Sequence, residues 1–226
     1  MKKIVYAIVA FVMIAMSGTA HADVLNLGGN YSQIASLVNP GSGVVARSEG
    51  GGSIETSYLD GRKLDYLYCV DLFTNIYVPA DYSNTTVNNN ALIHGNTVTN
   101  AGGIAYLLGK YGVGGQGDQA IALQAAIWHE INGTGVYDLN IGSGGYESTS
   151  AIATQYGNFI AEAQTHSGEV SKFRWINPDN GSGNQYQGLV TNSPNPEPST
   201  YILMFIGGLF AAFQLRKSRV EVHPTR

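Results

Sequence analysis

The segment from Asp118 to Asn132 constrains the fold most, because its apolar residues recur at helical spacing. On a helical wheel, one face carries Ala120, Ile121, Gln124, Ile127, Trp128 and Ile131. The pattern predicts a helix over residues 118–132, capped by the Asp118 carboxylate and ended by Gly133 in the left-handed conformation. Gln124 lies at the centre of the apolar face. A buried carboxamide is costly unless it is hydrogen-bonded or chemically converted.

The first 22 residues are typical of a signal peptide. Lys2 and Lys3 precede an apolar stretch that runs from Ile4 to Met16, and Ala20-His21-Ala22 gives a small-x-small cleavage site. Residues 1–22 are therefore predicted to be removed on export, and the alternative is a retained membrane anchor. The apolar stretch is short for a membrane span and ends in a cleavage pattern, which favours the signal peptide.

The C-terminal end carries a second targeting pattern. Pro196-Glu197-Pro198 is followed by the apolar residues 200–215 and then by the basic residues Arg216, Lys217 and Arg219. This order resembles the PEP-CTERM sorting tail of Gram-negative bacteria. The resemblance implies recognition by an exosortase, a transient anchor of residues 200–219 in the inner membrane, and delivery to the cell surface or the extracellular matrix. An ordinary C-terminal membrane anchor is the alternative.

Charge and composition narrow the functions of the exported part, residues 23–198. It keeps 6 basic and 15 acidic residues, a net charge of −9, so binding to nucleic acid or to anionic lipid is not expected. Glycine and tyrosine are frequent, with 29 and 14 residues in the whole chain. Such a composition suits β-structure with long turns.

Local patterns predict strands early in the chain and helices later. The short strand candidates are residues 24–27, 43–46 and 53–58, with a loop at residues 50–52. A buried strand is predicted over residues 64–78 and a further strand at 170–176. Residues 81–100 are predicted to form a polar loop or hairpin. Further helices are predicted at 101–111 and 148–165. The domain would end at residue 176, with residues 177–199 as a linker.

Cys69 is the only cysteine of the chain. An exported protein normally pairs its cysteines, so a single one is either intermolecular or reactive. Cys69 can also be a small buried hydrophobic residue, as free cysteines often are. Asp71 lies two residues further on and either orders the site or caps a turn. A nearby carboxylate disfavours the thiolate, so Asp71 is not expected to activate Cys69.

The surroundings of Cys69 and Gln124 together resemble the bacterial thioester domains of surface adhesins. Those domains carry an aromatic-Cys-hydrophobic-acid motif, matched here by Tyr68-Cys69-Val70-Asp71, and a later hydrophobic-Gln-x-x-hydrophobic-hydrophobic motif. The second motif is matched by Leu123-Gln124-Ala125-Ala126-Ile127-Trp128, although many members have Thr where this chain has Leu123. The family is best known from Gram-positive adhesins, whereas the tail implies a Gram-negative host.

This resemblance implies an α+β domain over residues 23–176, with a β-sandwich or barrel lobe and a helical insertion. It implies an internal thioester between Cys69 and Gln124, supported by Tyr68, Asp71, Ile121, Ile127 and Trp128. The thioester would lie where the two lobes meet. It would capture an amine, such as a lysine side chain or a polyamine, in adhesion or attachment to a biofilm matrix. The reaction is a single covalent binding event without turnover and needs no cofactor.

Two other functions remain open from the residues alone. A cysteine hydrolase or transglutaminase would need a histidine beside Cys69, and the candidates are His94, His129 and His166. His129 points away from the face of Gln124. A passive matrix or polysaccharide-associated protein would use Cys69 and Gln124 only structurally. A metal site is not expected, because one cysteine and dispersed histidines give no zinc spacing.

Overall fold

The computed structural model describes residues 22–112, 114–141, 148–192 and 207–208. The described part has an α+β fold with a curled, half-barrel-like sheet and three helices. The helices are α1 (Ala101–Tyr111), α2 (Asp118–Asn132) and α3 (Ser150–Thr165). The strands, in chain order, are β1 (Asp23–Leu27), β2 (Asn30–Val38), β3 (Val45–Glu55), β4 (Tyr58–Leu59), β5 (Arg62–Lys63), β6 (Tyr68–Cys69), β7 (Ala80–Asn88), β8 (Leu92–Ile93), β9 (Asn96–Thr97), β10 (Tyr137–Leu139), β11 (Phe173–Asn177) and β12 (Leu189–Asn192).

A seven-stranded sheet places the cysteine at its edge. Its strand order is β5-β4-β1-β7-β11-β12-β6, and the neighbouring strands pair antiparallel. The edge strand β6 pairs with β12 in the register Leu189 to Cys69. Leu25, Trp175, Ile176 and Leu189 are fully buried. Trp175 and Ile176 are adjacent in β11 and point to opposite faces, so both faces of the sheet are covered at this strand.

A three-stranded sheet, in the order β10-β2-β3, lies against helix α2. Helix α2 also contacts α1, α3 and β6, so it is surrounded by structure. Its alanines Ala122 and Ala126 are fully buried, although the helical wheel places them opposite Gln124. The small side chains let neighbouring elements approach the second face of α2, and the helix becomes a central element of the core.

Several predicted strand boundaries are wrong. The glycines at 50–52 lie inside the long strand β3 and do not form a loop, so residues 45–55 make one element. Only Tyr68–Cys69 is a strand within the predicted buried strand 64–78, and Phe73 and Tyr77 are exposed. Residues 81–100 were predicted to form a polar loop or hairpin, and β8 and β9 do form a hairpin there. The strand β7, in the middle of the large sheet, was not predicted.

The boundary between domain and linker also differs from the prediction. Residues 189–192, predicted to lie in the linker, form β12, and Leu189 and Val190 are fully buried between β11 and β6. Residues 22–192 belong to one compact unit. The folded domain therefore extends at least to Asn192, because removing β12 would separate the cysteine strand from the rest of its sheet.

The predicted bounds of α1 and α2 are confirmed, and α3 begins at Ser150. The cap of α2 differs from the prediction, because the N-cap is Gly117 and no side chain caps the helix there. Gly133 does follow the helix with a positive φ of 81°, but its ψ of 167° is extended and not left-handed helical. Asn132 Nδ2 instead donates to Trp128 O at 2.8 Å in the last turn.

The two predicted targeting segments lie almost entirely outside the described residues. This applies to residues 1–21 of the signal peptide and to the sorting residues Pro196, Glu197, Pro198, Arg216, Lys217 and Arg219. Within the tail, only Gly207 and Gly208 are described, and both are helical. Among the described residues, no helix is both long and apolar enough to cross a membrane.

Candidate functional site

Cys69 and Gln124, 55 residues apart in the chain, are in direct contact. The Cys69 N–H donates to Gln124 Oε1 at 2.8 Å, and Gln124 Nε2 donates to Cys69 O at 2.7 Å. Both residues are buried, with Gln124 0% and Cys69 1% exposed. The two bonds hold the carboxamide in one orientation against the backbone of the cysteine. The partner that the buried Gln124 requires is therefore Cys69 itself.

The position of β6 explains why the Gln124 side chain can make two hydrogen bonds with the backbone of Cys69. As the edge strand of its sheet, β6 has β12 on one side only. The N–H and C=O groups on the free side of an edge strand need other partners when they are buried. The carboxamide of Gln124 carries one donor and one acceptor and occupies the place that a further strand would take.

Gly51 on strand β3 permits this close packing. A Cβ atom added to Gly51 would lie 2.6 Å from Ile34 Cδ1, 2.8 Å from Gln124 Cγ and 3.1 Å from Trp128 Cη2. Real Cβ atoms do not approach other heavy atoms below 3.0 Å without a shift of the neighbours. The absence of a side chain at Gly51 therefore lets β3 pass directly over the helix turn that carries Gln124 and Trp128.

Three of the five predicted supporting residues belong to the same buried core as Cys69. Tyr68 and Ile127 are fully buried, and Trp128 is 1% exposed and packs edge-on against Tyr137 with a ring distance of 5.5 Å. Ile121 is only partly buried and does not line the cavity described below. Apolar packing of this kind keeps water away from the carboxamide and the thiol.

Asp71 caps a turn next to the cysteine. Its Oδ1 accepts a hydrogen bond from the N–H of Phe73 at 3.1 Å, and its Oδ2 lies 3.5 Å from His94 Nε2. Its backbone oxygen accepts a hydrogen bond from Gln187 Nε2. Asp71 was predicted either to order the site or to cap a turn, and its hydrogen bond with Phe73 is a turn cap.

The environment disfavours the thiolate of Cys69. Burial, with a smaller contribution from the negative charge of Asp71, raises the pKa of the Cys69 thiol to about 12. The thiol is therefore protonated at neutral pH. This is opposite to the electropositive surroundings that activate the cysteine of a thiol hydrolase.

The described histidines have partners other than Cys69. His129 Nδ1 lies 2.8 Å from the hydroxyl of Tyr156, which donates to Asp138 Oδ1 at 2.8 Å. The ring of His166 stacks on Tyr106 at 4.6 Å. His94 Nε2 lies 3.5 Å from Oδ2 of Asp71, which follows Cys69 by two residues in the chain. Within the described part of the chain, no group of three or more His, Cys, Asp or Glu side chains could hold a metal ion.

A cavity of about 240 Å³ leads to the cysteine. Its walls come from β2, β3 and the turn after β6, and Cys69 and Trp128 lie among the lining residues. Among the described residues of the lining, Glu49 is the only charged one. Such a cavity is large enough for the end of an amine-bearing side chain, while Gln124 itself lies outside its lining.

Sequence reasoning missed Gly51, Gln187 and the strand β12 as parts of this site. The glycine run 50–52 was a visible signal, but it indicated a loop by composition. The short apolar pair Leu189-Val190 between Gly188 and Thr191 was the only local sign of β12. Gln187 lies two residues before this strand and binds the turn after Cys69.

Comparisons with family models, with curated proteins and with solved structures found no match.

Proposed function

We propose that this protein is an exported surface or matrix protein that captures an amine covalently through an internal thioester between Cys69 and Gln124. The observation that carries the proposal is the pair of hydrogen bonds between the Gln124 carboxamide and the backbone of Cys69. They bring a thiol-bearing residue and an acyl donor together in a buried place. The matching motifs around both residues support the same conclusion.

Thioester formation would use only these two side chains. The Cys69 sulfur attacks the Gln124 Cδ, the C–N bond breaks, and the thiol proton leaves with the nitrogen as ammonia. The Cys69 N–H, 2.8 Å from Oε1, can stabilise the negative charge that develops on this oxygen. The second hydrogen bond, from Nε2 to Cys69 O, is lost with the ammonia.

Positioning is the main source of rate in this reaction. A thiol and an amide do not react measurably in free solution, but contact in a fixed geometry can supply an effective molarity of about 10⁵ M or more. The raised pKa of the thiol means that the sulfur loses its proton during the attack rather than before it. Complete burial of Gln124 then limits the access of water to the acyl carbon of the thioester.

Amine capture completes the proposed function. The amine attacks the Gln124 acyl carbon, the C–S bond breaks, and Cys69 is released as a thiol while a stable amide joins the two partners. No turnover follows, so the protein acts as a covalent binder and not as an enzyme. In this proposal the sheets form the β lobe, and the helices within residues 101–165 form the helical insertion.

The targeting segments give the proposed location. Export by the signal peptide, transient anchoring by residues 200–219 and release by an exosortase would place residues 23–198 at the cell surface or in the matrix of a Gram-negative bacterium. The amine partner would then be a lysine side chain or a polyamine of another surface or of the matrix.

Intact mass spectrometry of residues 23–195 tests the thioester. We expect the wild-type mass to be lower than the sequence mass by one ammonia. Cys69→Ala and Gln124→Ala should each restore the full sequence mass, and methylamine should add to the wild type with release of the thiol. A wild-type mass equal to that of the sequence, with Cys69 alkylated as a free thiol once the protein is unfolded, would contradict the proposal.

A passive matrix protein is the second candidate. The same two hydrogen bonds favour it, because they satisfy both polar groups of the Gln124 side chain without any covalent bond. The mass measurement separates the two candidates, since a passive protein keeps its ammonia and does not react with methylamine.

A further inference from the structure

Glu49, on strand β3, is the one charged residue among the described residues that line the cavity beside Cys69. Side chains two residues apart on a strand share a face and lie about 7 Å from each other. Glu49 therefore shares the face of Gly51, and that face is directed at Gln124 and Trp128. Glu49 is half-buried, with 27% of its side chain exposed, and it lines the cavity together with Cys69.

The charge of Glu49 is only weakly compensated. Its sole ion pair among the described residues is a long one, with Arg47 at 4.0 Å. Arg47 does not line the cavity. Burial raises the pKa of Glu49, and the positive charge of Arg47 offsets this only in part. A cation that entered the cavity would find a carboxylate without a close partner.

Two aromatic residues complete the wall. Tyr31 lines the cavity and is 41% exposed, so its ring is available at the opening. Trp128 also lines the cavity. Aromatic faces attract alkylammonium groups. Two aromatic residues and a carboxylate in one wall therefore suit a cationic amine.

We propose that this cavity selects a primary alkylammonium group, as on a lysine side chain or a polyamine, and that Glu49 binds this group and accepts its proton. The inference rests on the proposed thioester. It adds a residue, Glu49, that binds and deprotonates the amine at that site.

The proposed step balances as follows. An alkylammonium ion cannot attack a carbonyl until it loses a proton, and the Glu49 carboxylate takes this proton. The neutral amine forms the C–N bond to the Gln124 acyl carbon as the C–S bond breaks. The nitrogen gives a second proton to the departing sulfur, which becomes the Cys69 thiol, and the Glu49 proton passes to solvent.

Two amines of different charge test this role. At pH 7.5 methylamine is almost entirely cationic, whereas hydroxylamine is almost entirely neutral, and both are small nucleophiles. We expect Glu49→Gln to lower the ratio of the methylamine rate to the hydroxylamine rate about tenfold, measured by intact mass against time. Glu169→Gln removes the same charge outside the cavity and should leave the ratio unchanged.

The outcomes separate the two proposals. If the wild type gives no hydroxylamine adduct and no ammonia deficit, the thioester is absent and both proposals fail. If the wild type reacts but Glu49→Gln keeps the wild-type ratio, only the role of Glu49 is wrong. An equal fall of the ratio in Glu169→Gln would show a general charge effect and would also overturn that role. The ammonia deficit of Glu49→Gln shows that this variant still folds and forms the thioester.

Discussion

Replacement of Gly51 by alanine tests the packing that brings β3 over Gln124. The added methyl group would overlap Ile34 at 2.6 Å and Gln124 at 2.8 Å, and it would press on the Trp128 ring at 3.1 Å. Ile34 and Gln124 are 0% exposed, so neither can move into solvent. The backbone of β3 or the helix α2 must shift to make room.

The structure sets the size of the effect. Overpacking of a closed core by one methyl group typically costs about 1 to 3 kcal/mol. Alanine recovers about 0.5 to 1 kcal/mol of the entropy that glycine loses in a strand. Because the methyl group would lie closer than 3.0 Å to two heavy atoms, the upper part of the overpacking range, about 2 to 3 kcal/mol, applies. We therefore expect Gly51→Ala to lower the free energy of unfolding by about 1 to 2.5 kcal/mol.

Urea unfolding of residues 23–195 measures this change. The matched control is Gly157→Ala in helix α3, where the added methyl group meets no atom within 4 Å and φ is unexceptional. That variant should be more stable by about 1 kcal/mol, because alanine favours a helix over glycine. The two substitutions are chemically identical, so their opposite signs would reflect the surroundings alone.

The same variant links packing to chemistry. In the proposed thioester reaction, a shift of Gln124 away from Cys69 should lower the fraction of Gly51→Ala molecules whose mass is reduced by one ammonia. The reasoning is refuted if Gly51→Ala is as stable as the wild type, because a methyl group would then fit where the structure leaves no space.

The remaining predictions concern the thiol and a buried hydroxyl. When methylamine has released Cys69 from the proposed thioester, the native thiol should react with iodoacetamide at pH 9 about five-hundredfold more slowly than in the unfolded chain, because its pKa is raised from 9.0 to about 12. The unfolded chain loses this proton at a lower pH than the folded protein does. The free energy of unfolding is therefore unaffected by this thiol below pH 9 and falls as the pH rises from 9 toward 12. Equal alkylation rates in the folded and unfolded protein would contradict this. Tyr156→Phe removes the hydroxyl that donates to Asp138 and contacts His129, and it should cost about 1 to 2 kcal/mol in urea unfolding. Tyr58→Phe, at an exposed position, should be neutral, and the same loss in both variants would rule out the hydrogen bonds as the cause.

Helices were predicted best because their signal is local. The apolar periodicity of residues 101–111 and 118–132 predicts both helices with their observed bounds. A helix makes its backbone hydrogen bonds within its own segment, so its sequence carries most of the information. Both ends of α2 differ in detail, because Gly117 takes the N-cap position and Gly133 has an extended ψ of 167°.

Strands were predicted less well because their partners are distant in the chain. Leu189–Asn192 looks like part of a polar linker until β11 and β6 lie on either side of it. Residues 50–52 look like a loop because glycine is the usual residue of turns. In the fold the same glycines lie within β3, where the missing side chain at Gly51 leaves space for Gln124.

The sequence by itself determined the helices, the single cysteine, and the need of Gln124 for a partner. Only the tertiary structure decided that this partner is the backbone of Cys69, at a sheet edge 55 residues away in the chain. It also decided that a cavity with Glu49 in its wall reaches the same cysteine. The physical reason is that hydrogen bonds and cavities between distant segments depend on how elements pack, and local residue patterns do not encode that arrangement.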